Sequence, residues 1–168
     1  DNGQGLVAIE TERDYANSRR TLGKFVNTKK ELWEWRQWIH THKGKQKPFW
    51  LPNWNMDLIL AENATSTETV LTIKPINLPT YATMPLDTMV ILMDGSVFYR
   101  RITDAITLSS GYEEVTLDSS FDREVAPEDV KLWCFMHLVR LDSDKIELEY
   151  QSGSFFVKTV VPVVEVSE

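Results

Sequence analysis

Three histidines, a single cysteine and two close pairs of acids are the side chains best suited to acid–base, nucleophilic or metal chemistry in this 168-residue chain. Their spacing works against each of those chemistries. His40 and His42 stand two apart in a stretch that reads as a helix, so they point to different faces and cannot share a metal ion. His137 lies far along the chain in an expected strand. Glu113 and Glu114 are adjacent on another expected strand, where consecutive side chains face opposite sides and cannot flank one bond as an acid–base couple. Asp142-Ser-Asp144 has the opening spacing of a calcium loop but lacks its glycine and distal glutamate, so it reads as a turn. Cys134 sits in Leu-Trp-Cys-Phe-Met, an apolar setting where a thiol behaves as a small buried hydrophobe. No base stands beside it to make a nucleophile. As the only cysteine, it leaves no internal disulfide and no cysteine-based zinc site. No phosphate-binding glycine loop and no nucleophile elbow is present. These residues point to a protein without a catalytic site, metal or cofactor.

Binding chemistry has better material. The chain has six tryptophans, and five of them fall between Trp33 and Trp54. Such a cluster serves either as a sugar-stacking platform or as the packing that joins helix and sheet into one core. Trp35 and Trp38 recur at helical spacing and read as core. Trp33 falls on the opposite helix face, and Trp50 and Trp54 lie in a proline-bracketed segment. These three are the candidates for a subunit contact, where aromatic side chains commonly act as anchors.

The elements that must position these residues follow from pattern. Thr28 stands three residues before Glu31, the spacing of a capping box. Leu32, Trp35 and Ile39 recur at helical spacing, and Gly44 supplies a stop after His40, His42 and Lys43. An amphipathic helix over 28–43 is expected. Pro48 and Pro52 forbid helix in the next segment, which is expected to lie extended with Phe49, Trp50, Leu51 and Trp54 as anchors. Two strands, 6–12 and 19–26, precede the helix. From Met56 onward the rhythm is strand and turn, with strands expected at 56–60, 69–74, 88–93, 96–103, 105–109, 113–117 and 130–140. Asp94-Gly95 and Ser109-Ser-Gly-Tyr mark tight turns. A meander closes the chain, with Ile146, Leu148 and Tyr150 alternating against Glu147 and Glu149, then Phe155 to Val166. The expected class is mainly β (α+β): a β-sandwich-like domain of residues 1–55 plus 129–168 with one packed amphipathic helix. A small β-barrel or β-sandwich domain is inserted at 56–128.

A hydrophobic fraction of 42% with 26% charged residues suits a globular domain. No apolar run approaches the roughly 18–20 residues of a membrane span. The net charge of −7 argues against a general nucleic-acid binder. That charge is uneven: +4 over residues 1–55 and −11 over 56–168. Such asymmetry would let identical subunits pack basic face to acidic face. Starting at Asp1 and not Met, the chain is expected to be a processed product or a piece of a longer protein.

Two stretches carry a family resemblance. One is the helix with Trp35-x-x-Trp38 followed by Gly44-Lys-x-x-Pro-Phe-Trp-Leu-Pro-x-Trp54. The other runs His137-Leu-Val-Arg-Leu-Asp-Ser-Asp-Lys-Ile-Glu-Leu-Glu-Tyr150 into a last strand ending Val-Glu-Val. Between them, Asn63-Ala-Thr, Val-Leu-Thr-Ile, Asp94-Gly and Val115-Thr-Leu-Asp resemble a small inserted β domain. Together these phrases resemble the distal-tail or tail-tip structural proteins of tailed bacteriophages and prophages, in siphophage tail modules. The resemblance implies a non-enzymatic subunit that forms a ring of identical copies and docks to neighbouring tail proteins such as the tail tube or baseplate hub. It would be assembled in the bacterial host cytoplasm and reside in the virion tail. The alternative is a carbohydrate-binding β module of an adsorption apparatus, with a glycan on Trp50 or Trp54.

Overall fold

The computed structural model describes residues 19–151 and 156–166. The expected strand at 6–12 lies outside them. Strands take 46% of the described residues and helices 17%, so the mainly β class holds. The chain divides into two compact units, one of residues 1–48 and 139–168 and the other of residues 49–138.

In the first unit, strand β1 (Arg19–Val26) pairs antiparallel with β9 (Phe156–Glu165) along its length. β9 also pairs with β8 (Leu148–Gln151) and with the end of β7 (Val130–Leu141), through Val139, Arg140 and Leu141. Helix α1 (Lys29–His42) starts where the capping spacing places it. Thr28 Oγ1 accepts the Glu31 N–H at 3.2 Å, while the Glu31 carboxylate accepts the N–H of Asn27 at 2.9 Å, one residue earlier than a strict capping box requires. Leu32 and Trp35 are buried, and the Trp35 and Trp38 rings stack in parallel at 4.7 Å. At the far end Lys43 takes the left-handed conformation (φ 49°) ahead of Gly44 (φ 62°). His42 Nδ1 donates to the Trp38 carbonyl at 2.8 Å, which occupies one of the orphan acceptors of the last turn.

The second unit is an antiparallel ladder. Its order is β7, β4 (Leu86–Leu92), β5 (Val97–Thr107), β6 (Glu113–Leu117) and β3 (Val70–Ile73), with β2 (Phe49–Pro52) also pairing to β7. Its core gathers Leu58, Leu60, Leu71, Ile73, Val90, Leu92, Ile102, Val115, Phe121 and Trp133. The Asp94-Gly95 hairpin forms as expected, with Gly95 at φ 87° and Ser96 N–H bonded to Asp94 Oδ1.

Three expectations need correcting. Residues 56–60 form no strand. Leu58 and Leu60 are buried in strand-like alternation, but the N–H groups of Asp57 and Leu58 go to the Trp133 carbonyl and only Leu60 bridges to Ile73. The expected strands 96–103 and 105–109 are one strand, β5, carrying a bulge between Ile102 and Asp104 that lets it continue against β6. A short helix, α2 (Leu78–Tyr81), follows β3 and is secured by Glu113, whose buried carboxylate accepts the N–H groups of Asn77 at 2.7 Å and Leu78 at 3.2 Å. The two units also divide elsewhere than 55/56 and 128/129, because Phe49–Pro52 and the first part of β7 are hydrogen-bonded into the second ladder.

Candidate functional site

The five clustered tryptophans do not share one core. Trp33, Trp35 and Trp38 belong to the first unit, and Trp50 and Trp54 to the second. On α1, Trp35 is buried under the Lys24 ammonium, 5.0 Å from its ring. Trp33, two residues earlier, is therefore turned away, as helical spacing requires, and stands 67% exposed with the Arg36 guanidinium 5.6 Å from its ring.

Trp54 is 61% exposed and lies at φ 62°, a left-handed conformation that a bulky residue adopts only when its surroundings force it. The forcing groups are visible. Asn53 N–H bonds to the Phe135 carbonyl at 3.0 Å, which anchors the loop to β7. Asp57 Oδ2 then accepts both the Asn53 side-chain amide at 2.6 Å and the Phe135 N–H at 2.8 Å. Asn53 Oδ1 accepts the Asn55 N–H at 3.0 Å. The turn is thereby closed from both sides, and an indole is held out in solvent on a rigid loop. Beneath it, burial pushes the Cys134 thiol above its ordinary value, against backbone hydrogen bonds with Trp54 and Met89 that favour the thiolate. With Cys134 fully buried in β7, the thiol packs as the sequence suggested.

Trp50 has a different setting. It lines a cleft of about 400 Å³ in the second unit with Tyr99, Met136, Asp87, Arg101 and Asp118. The register places Asp87 opposite Arg101, and the two form a two-pronged pair, Nε to Oδ1 at 2.9 Å and Nη2 to Oδ2 at 2.8 Å. Tyr99, two residues before Arg101 on β5, shares its face and is 61% exposed. Asp118 accepts the Arg101 N–H at 3.0 Å. Sequence reading singled out Trp50 but none of these neighbours. Only the β4–β5 register brings Asp87, Tyr99 and Arg101 together.

Among the described residues, no group of three or more His, Cys, Asp or Glu side chains is arranged to hold a metal ion, and no helix is long and apolar enough to cross a membrane. The geometry offers instead two exposed indoles, Trp33 and Trp54, one on each unit, and an aromatic, charge-paired cleft. A scan of protein-family models and a search of curated proteins return no match to the chain.

Proposed function

We propose that this chain is a non-enzymatic structural subunit of the tail tip or distal tail of a tailed bacteriophage or prophage. It associates with copies of itself, as a ring, and docks on neighbouring tail proteins. The tail assignment rests on the sequence phrases around Trp35–Trp54 and His137–Tyr150. The assembly role is carried by one observation: Trp54 is held in solvent at a left-handed backbone position by a loop whose polar groups are bonded to β7 and to one another. A side chain displayed at conformational cost and left unburied by its own unit is suited to bury itself in a partner. Trp33 supplies a second such anchor on α1. An indole at the centre of an interface is typically worth about 2 kcal/mol or more, roughly thirtyfold in affinity.

The test is self-association measured by sedimentation over a concentration series, for the native chain and for Trp33→Ala and Trp54→Ala. Each substitution removes an exposed ring, so the fold should survive while the association constant falls roughly thirtyfold or more. Association untouched by both substitutions would remove the anchors from the interface and, with them, the basis of the assembly reading.

A further inference from the structure

The cleft at Trp50 is a separate feature, independent of the assembly reading. We propose that it is a binding site for a neutral saccharide. Two aromatic side chains, Trp50 and Tyr99, line it, and both are solvent-accessible. Exposed rings offer flat apolar surface to the C–H face of a pyranose.

The charged groups around them decide the ligand's charge. Arg101 is matched in both prongs by Asp87. Arg100 is spent on carbonyls, donating to Ser120 through Nε and Nη2 and to Tyr99 through Nη1. The two arginines of the cleft and Asp87 thus have their strongest contacts already made inside the protein. An anion would have to compete with Asp87 for Arg101, and a cation with Arg101 for Asp87. A hydroxyl does neither. It both donates and accepts, so it can donate to a carboxylate oxygen at this cleft without breaking the Asp87–Arg101 pair. The Tyr99 phenol and Oδ2 of Asp118 carry no protein hydrogen bond among the described residues, which supplies a donor–acceptor and an acceptor at the same cleft. Its volume of about 400 Å³ lies within the range of small-molecule sites, and its open form suits a chain that continues past the bound sugar.

The experiment screens the whole chain on an array of neutral hexose, deoxyhexose and N-acetylhexosamine oligosaccharides, with sulfated and uronic-acid sugars alongside. The best-retained sugar is then titrated by calorimetry. The expected result is saturable binding to a neutral oligosaccharide with Kd on the order of 0.1–1 mM. Tyr99→Ala and Arg101→Met should each weaken it roughly tenfold or more, while Tyr99→Phe stays within about threefold. Thermal melts establish that each variant is folded. If Arg101→Met unfolds, Tyr99→Ala decides alone, because its side chain is mostly in solvent. Three results overturn the proposal: no sugar bound at about 10 mM, binding unchanged in the folded Tyr99→Ala variant, or retention confined to the charged sugars.

Discussion

Replacing Asp57 by alanine should loosen the one loop on which the assembly reading depends. A single oxygen, Oδ2, accepts from the Asn53 amide at 2.6 Å and from the Phe135 N–H at 2.8 Å. Hydrogen bonds to an ionised group contribute about 1.5–3 kcal/mol each when desolvated. Both of these are only part-buried, so water takes over some of the lost bonding and the low end applies. The expected loss is about 2–3 kcal/mol for Asp57→Ala and about 1 kcal/mol for Asp57→Asn, which keeps a carbonyl acceptor. Urea unfolding of the isolated variants should show an unchanged slope and a midpoint lower by roughly 1–2 M for the alanine. Association should weaken as well, since a mobile Trp54 must be ordered again on binding. A loss below about 0.5 kcal/mol, or a changed slope with no shift in midpoint, would show that this carboxylate does not hold the loop.

Three further perturbations probe the frame around the sites. Glu113→Ala leaves the buried N–H of Leu78 and the part-buried N–H of Asn77 without their acceptor and should cost about 2–3 kcal/mol, read as a lower melting temperature. Gly44→Ala puts a Cβ at φ 62° and against the Asp144 carboxylate, which accepts the Lys45 N–H at 3.1 Å; about 2 kcal/mol should be lost in denaturant unfolding. Asp94 is held at a pKa of about 2, below its ordinary 3.8, first by the backbone hydrogen bond from Ser96, then by the Ser96 side chain and Arg123. A lowered folded pKa means its contribution is present above about pH 4 and lost as pH falls towards about 2; Asp94→Asn should flatten that part of the acid unfolding profile, and an NMR titration of its carboxyl should centre near 2.

Local signals made parts of this fold legible in the sequence. Thr28, Glu31 and the apolar spacing from Leu32 to Ile39 located α1 to within a residue at each end, because the cap and the buried stripe agree. Asp94-Gly95 located its hairpin, and the alternation at 113–117 located β6, since Glu113 turns inward and Glu114 outward. Where contacts are remote, pattern failed. Leu58 and Leu60 alternate as a strand does, but whether a ladder forms depends on where Trp133 lies. The division of the units depended on β2 finding β7, which no residue between Phe49 and Pro52 announces. At the sites, helical periodicity foretold the exposure of Trp33, and Trp50 and Trp54 stood out by type. The Asp57 clamp and the Asp87–Arg101 fork did not, because ordinary polar residues acquire those roles only through cross-strand register.

The mass of the assembled species tests the account most directly. Native mass spectrometry of the 19.4 kDa chain, alone and mixed with tail-tube and hub proteins, should show a closed set of identical copies that Trp33→Ala or Trp54→Ala breaks into smaller species. A 19.4 kDa monomer at every concentration up to about 100 μM, with those partners present, would contradict it.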